Sequence, residues 1–470
     1  MTGALLCAAA ALALGDILQL KDGRVVEGPP IRKDGAFYRI AFQNGEVVVP
    51  EGLVRDAATS DTKPKDLEAR RKRLEEAKSR LEWRSRYKTE SRHFKFEYTI
   101  PPEIFESYKN LLETYYDVFT KKWGIAAPAK VGKLLVCIYH DEDTFHQVSG
   151  APQGVLGYFR FVEPLELHVF YDRRDPEFAV DVLFHEGNHF LTQLIDLKFN
   201  YPPWVNESLA EYYGASSWDP KTKKMALGNI QEGRLVVLWD AIAGQEMQGL
   251  EDLIREPQFS AIHYAWGWSF VHFLMESPKY SKKFQSYYLA LSRAPGVKRM
   301  MGGPMNAFKQ VPTDDQIALL KSTLGIKDLK MLETEWHDYV KNRLQLQTGR
   351  GYEQAAQWAR RYGMSKKAAK YFKQAVDAGS TNPVTYDEYA ELLEREGKER
   401  EAIPLLEKAI TLDPLFAQAY LRLGRLLAKG DSSGRERGEK LKKLAFEIAP
   451  DDPYLHMDLE TAKALSGSGK

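Results

Sequence analysis

The residues with the clearest chemistry are His185-Glu186-Gly187-Asn188-His189. Two imidazoles four positions apart share one face of a helix, a turn from each other. That suits two nitrogen ligands on one zinc ion. Glu186 lies beside them, where a carboxylate can act as general base toward a water. A helix is expected because Asp175-Pro176-Glu177 is a start signal: a capping Asp, a Pro at the first helical position, then an acid. Phe178, Val182, His185 and His189 then recur at helical spacing. Taken alone, the motif also fits a helix with two ordinary histidines.

Seventeen residues separate His189 from Glu207, which stands in Tyr201-Pro202-Pro203-Trp204-Val205-Asn206-Glu207-Ser208-Leu209-Ala210-Glu211. The two prolines lead into a stretch without breakers, so Glu207 and Glu211 lie one turn apart on a second helix. Two histidines and one carboxylate leave the fourth position of zinc open, the catalytic and not the structural arrangement. Glu211 is then a candidate acceptor for the free ring N–H of a ligand histidine, fixing its tautomer. A solvated acidic helix face is the plainer alternative for both. These residues resemble the gluzincin metallopeptidases, whose Asn-Glu helix supplies the third ligand and, one turn later, a carboxylate behind it. The resemblance implies one zinc per chain on His185, His189 and Glu207, with Glu186 as general base and Glu211 orienting a ligand.

A second fragment is His263-Tyr264-Ala265-Trp266-Gly267-Trp268, opening an apolar helical run to Met275. In the large aminopeptidase branch of the gluzincins, a Tyr followed three residues on by Gly supplies a hydroxyl to the oxyanion. Tyr264 and Gly267 match, but Trp266 stands where that branch has Lys. His263 is a second candidate donor, and a buried structural Tyr is the alternative for Tyr264. There is no Gly-x-Met-Glu-Asn segment, with which those aminopeptidases hold a free amino terminus. Exopeptidase activity therefore has no support.

The elements that must position these residues begin near His93. Phe94–Thr99 alternates like a strand, Pro101–Trp123 is a long amphipathic helix, and Lys133–Tyr139 is an apolar strand. Gly154–Tyr158 and Leu165–Tyr171 are further strand candidates. By resemblance and by the physics of strand addition, Leu165–Tyr171 is a candidate edge for an extended substrate; a plain core or edge strand is the alternative. The gluzincin-like region is expected over residues 91–345, and resemblance to a bacterial family of exported gluzincin-like proteins covers roughly residues 91–280 of it.

On either side lie other units. Residues 1–15 form an uncharged apolar run, too short for a spanning helix. It resembles the core of a signal peptide, without the usual basic residues before it. Export to the periplasm, cell envelope or medium is therefore expected. Residues 16–60 carry Asp22-Gly23, Asp34-Gly35 and Asn44-Gly45, three tight-turn signals between short β segments. They predict a four- or five-stranded SH3-like unit. Residues 61–90 read as a charged linker helix, with Leu67, Leu74 and Leu81 as a narrow seam. Interleaved acids and a formal net charge of +1 speak against nucleic-acid binding. The chain's two cysteines define no disulfide framework.

Over residues 346–465, Tyr352, Tyr386 and Tyr420 recur at intervals of 34, as do Ala368 and Ala402, and Ala375 and Ala409. Tyr420-x-x-Leu423-Gly424-x-x-Leu427 resembles the first helix of a tetratricopeptide repeat. Such repeats imply a protein partner; a purely packing appendage is the alternative. The whole is expected to be an α+β multidomain chain. It has a small β unit, a mainly helical gluzincin-like domain around an antiparallel or mixed sheet, and a C-terminal α-solenoid. The function implied is peptide-bond hydrolysis on a peptide or protein substrate. The alternative is a non-catalytic zinc-containing scaffold, or a peptide-binding protein that works through its repeats.

Overall fold

Short alternating segments at the start of the chain become six strands: β1 (Asp16–Leu20), β2 (Val25–Gly28), β3 (Ile31–Asp34), β4 (Phe37–Phe42), β5 (Gly45–Pro50) and β6 (Val54–Ala58). The computed structural model describes residues 15–59, 61–125, 132–300, 308–452 and 454–457. The apolar start, apart from Gly15, lies outside the described residues. The strands pair antiparallel in two sheets, ordered β2-β1-β6 and β3-β4-β5. That is one strand more than the turn signals predict, because no turn dipeptide announces β6. Helix α1 (Pro64–Ser79) ends sooner than the charged segment does. Its Leu67 and Leu74 are buried with Ile17 and Ala58, so it packs on the strands, while Leu81 falls beyond its end and is 41% exposed.

The segment Ser79–Tyr371 is one compact unit. It runs β7 (Tyr87–Glu90), β8 (Phe94–Tyr98), α2 (Pro102–Trp123), β9 (Leu134–Tyr139), α3 (Glu142–Ser149), β10 (Gly157–Arg160) and β11 (Glu166–Phe170). The helices α4 (Pro176–Gln193), α5 (Pro203–Gly214), α6 (Glu232–Ala243), α7 (Leu250–Arg255) and α8 (Ala261–Glu276) follow. Then come α9 (Ser281–Ala290), α10 (Thr313–Leu324), α11 (Leu329–Arg343) and α12 (Arg350–Arg361). The sheet order is β10-β11-β9-β8-β7, parallel at its centre and antiparallel at both margins, hence mixed. This corrects the expected substrate edge. β11, at the heart of Leu165–Tyr171, has a neighbour on both sides, because β10 folds back on it as a hairpin; β10 is the margin. Strands and helices share one core, in which α2 contributes Phe105, Leu112, Tyr115 and Phe119 against Leu183 and Phe184 of α4.

The remaining helices are α13 (Ser365–Asp377), α14 (Pro383–Arg395), α15 (Glu399–Leu412), α16 (Ala417–Ala428) and α17 (Ser432–Ile448). Small residues at repeat spacing let α14, α15 and α16 approach: Ala390, Ala402, Ala409 and Ala419 are buried together with Leu406 and Leu423. Two tyrosines 34 residues apart make the same bond, Tyr386 donating to the carbonyl of Ser380 at 2.8 Å and Tyr420 to that of Pro414 at 3.1 Å. Residues from Phe372 onward group with the first 78 as a second compact unit. There Leu415, Tyr420, Leu421, Leu444 and Ile448 share a core with Leu18, Leu20, Ile40 and Val47. The expected single array over 346–465 is thus divided: α12 belongs to the first unit, α14 to α17 to the second. No described helix is long and apolar enough to cross a membrane.

Candidate metal centre

Helix α4 starts as its first residues dictate, with the Asp175 side chain accepting from the N–H of Phe178 at 3.1 Å and Pro176 in the first turn. His185 and His189 then stand one turn apart, ring centroids 5.0 Å from each other. Pro202 and Pro203 open α5, which packs beside α4 and carries Glu207 toward both rings. Glu207 Oε2 lies 3.6 Å from His185 Nε2 and 3.7 Å from His189 Nε2. The three donor atoms lie within 4.8 Å of one another.

Tetrahedral zinc with bonds near 2.0–2.1 Å sets neighbouring nitrogen and oxygen ligands about 3.3 Å apart. Both His–Glu spacings are within half an ångström of that, and the donor set of two imidazoles and one carboxylate is one zinc favours. The residues fit the ion. Among the described residues this is the one cluster of metal-ligand type.

Glu211 lies one turn along α5, with Oε1 3.4 Å from His185 Nδ1. Only 5% of it is exposed. Arg234 of α6, itself 8% exposed, grips its carboxylate at two points, Nε to Oε2 at 2.8 Å and Nη2 to Oε1 at 2.9 Å. His189 differs: its Nδ1 is buried without a hydrogen-bond partner among the described residues. Glu186 is half-buried on α4, and its charge is one of those acting on His185.

The electrostatics follow. Burial opposes charge on His185, but hydrogen bonds to Glu207 and Glu211 and the charge of Glu186 outweigh it and raise its pKa to about 10. Burial likewise opposes the charge of Glu207, yet His189 and His185 hold it down at about 2. Glu211, also penalised by burial, is held at about 2 by Arg234 and His185. The site is built to keep two carboxylates ionised around a positive centre.

Tyr264 reaches this group and His263 does not. The Tyr264 hydroxyl donates to Glu207, and its ring centroid is 6.5 Å from that of His185. Burial and the nearby carboxylates push its pKa far up, so it keeps its proton. Gly267 explains how Tyr264 arrives: a Cβ there would lie 2.2 Å from Ser208 Oγ, so only glycine lets α8 cross α5 this closely. His263 instead completes a capping box with Ser260 at the start of α8, and its Nε2 faces Glu256 at 3.8 Å.

The sequence does not single out Arg234. A cation leading the apolar run Leu235-Val236-Val237-Leu238 must find a partner when buried. Nothing local says that the partner is Glu211.

No curated protein matches the chain. The solved structure of MamA is similar over a limited stretch, at 16% identity and a TM-score of 0.21, covering 29% of this chain and 77% of that one. Residues 383–426 match the family model described as Tetratricopeptide repeat. The C-terminal part of the chain carries tetratricopeptide repeats.

Proposed function

We propose that the chain is a zinc-dependent peptidase related to the gluzincin metallopeptidases, with His185, His189 and Glu207 holding one zinc ion. The observation that carries this reading is the convergence of three donor atoms from two helices, with two His–Glu spacings close to those of a shared tetrahedral ion. When bound, zinc would supply Lewis acidity toward the scissile carbonyl and lower the pKa of a water. Glu186 takes the proton of the attacking water and passes it to the leaving amine. Glu211 fixes the tautomer of His185 by accepting at Nδ1. Tyr264, kept protonated by its surroundings, is a hydroxyl donor next to the ligands.

An extended peptide is the substrate class that fits best. β10 is a sheet margin that packs against α4, and a margin offers backbone groups for strand addition. The apolar start of the chain supports export as the setting. A second reading, a non-catalytic zinc-containing scaffold or a peptide-binding protein that works through its repeats, is favoured by the tetratricopeptide match. Zinc content and cleavage of an unbiased peptide library separate the two. The peptidase reading expects one zinc per chain and cleavage that stops on chelation. Zinc without cleavage leaves the scaffold, and a chain without zinc removes the peptidase and leaves only peptide binding through the repeats.

A further inference from the structure

A glutamate that accepts from one imidazole can still swing about its own side chain; two parallel bonds from a guanidinium remove that freedom. Arg234 makes both bonds to Glu211: its Nη2 donates to Oε1, the oxygen that also faces His185, and its Nε donates to Oε2. Arg234 is in turn flanked by aromatic rings. Its guanidinium carbon is 3.9 Å from the ring centroid of Trp358 and 5.1 Å from that of Tyr264. Trp358 comes from α12, the first helix of the repeat pattern, which lies in the same compact unit as the metal centre.

The docking of α12 is specific. Gly233 precedes Arg234, and a Cβ there would stand 2.7 Å from a Trp358 ring carbon and 2.6 Å from Gln354 Cβ. The close approach therefore requires glycine. Gln354 accepts from the Gly233 N–H at 3.1 Å and donates to Asp181 Oδ2 at 3.1 Å, tying α12 to α6 and to α4 one turn before His185. Glu232 accepts from the N–H groups of Gln347 and Thr348 at 2.6 Å and of Gly351 at 3.2 Å, anchoring the start of the helix. The repeat register marks the same positions as special. At intervals of 34 from Trp358 stand Leu392 and Leu426, both buried in helix packing, and from Gln354 stand Glu388 and Arg422. Tryptophan replaces the packing leucine where the helix meets Arg234.

We propose that Trp358 and Arg234 are positioning residues for the metal centre, so that the first repeat helix holds Glu211, and through it His185, in ligand geometry. This rests on the metal-site reading above. The full-length chain is compared with Trp358→Leu, which installs the residue of the later repeats, with Trp358→Phe, which keeps a flat ring, and with Arg234→Met. Ala355→Gly loosens the same helix and leaves the stacking ring in place. Zinc affinity is measured at one fixed pH by competition with a chromophoric chelator, together with the visible spectrum of the cobalt-loaded protein and the melting temperature.

Trp358→Leu and Arg234→Met should each lose about tenfold in zinc affinity at unchanged stoichiometry, at the lower end of losses seen behind ligands, and their cobalt spectra should shift. Trp358→Phe should restore both, and Ala355→Gly should lower the melting temperature with affinity and spectrum unmoved. Equal or tighter zinc binding in Trp358→Leu and Arg234→Met, with an unshifted cobalt spectrum, overturns the positioning role. Equal losses in Trp358→Phe or Ala355→Gly overturn it too, as general destabilisation. A wild-type chain that takes up no zinc sinks the metal site itself, which is a separate failure.

Discussion

Zinc uptake should expel a proton from His185. Hydrogen bonds to Glu207 and Glu211 and the charge of Glu186 outweigh its burial and hold its pKa up at about 10. At neutral pH the ring that must offer a lone pair therefore carries a proton, and the two roles exclude each other. Below that pKa each pH unit raises the apparent zinc affinity about tenfold, or about 1.4 kcal/mol. From about pH 7 to about pH 9 the expected gain is about 100-fold, roughly 2.7 kcal/mol. Glu207 and Glu211, held at about 2, stay ionised throughout and add nothing to the slope. An ordinary histidine near 6.5 would leave the curve flat over that range. Competition titrations with a chelator of known proton affinities, together with proton release in weak buffer, measure the slope. A change below about threefold across those two units would refute the reasoning. The same shifts set the stability of chelator-treated protein. The His185 contribution is complete below 6.5 and is lost as pH rises through about 10. The Glu207 and Glu211 contributions are present above 4.5 and are lost as pH falls through about 2.

Other perturbations have equally definite outcomes. His185→Ala or His189→Ala should abolish stoichiometric zinc, read by metal analysis, because two remaining ligands hold the ion poorly. Glu211→Ala should keep the stoichiometry and lose about ten- to a hundredfold in affinity, whereas full affinity in Glu207→Ala would show that the third ligand is another group. Gly267→Ala places a methyl 2.2 Å from Ser208 Oγ. It should cost about 1–3 kcal/mol in a melt, most of it returned by Ser208→Gly in the same chain; strictly additive losses would contradict the close approach. Leu421→Ala should cost about 2–5 kcal/mol and raise hydrogen exchange in β4 and β5 as well as in α16, since they share a core. Loss of protection in α16 alone would show that the core is not shared.

What could be read from sequence was what depends on neighbours along the chain. Asp175, Pro176 and the spacing of His185 and His189 define one helix face, and Pro202-Pro203 starts the next helix with Glu207 four residues on. The 34-residue recurrence of tyrosines and alanines marks the repeats for the same reason. Strand order is not local: nothing in Leu165–Tyr171 tells that β10 will fold back and cover its edge. The union of β1–β6 with the last repeat helices joins the two ends of the chain, and no spacing announces it. Leu81 fitted a seven-residue seam but lies past the point where α1 stops. His263 is a helix cap, a role its position just after Ser260 permits but does not single out. Arg234 and Trp358 are 124 residues apart in the chain and meet only through glycine at 233.

The most direct test of the peptidase reading is the Glu186→Gln chain beside the wild type, both zinc-replete, on one mixed peptide library. The amide keeps the shape of the side chain, is not a metal ligand and cannot take the proton of a water. Zinc content should therefore match, and cleavage should fall by about a hundredfold or more. Equal cleavage by the two chains, or none by a zinc-replete wild type, would contradict it.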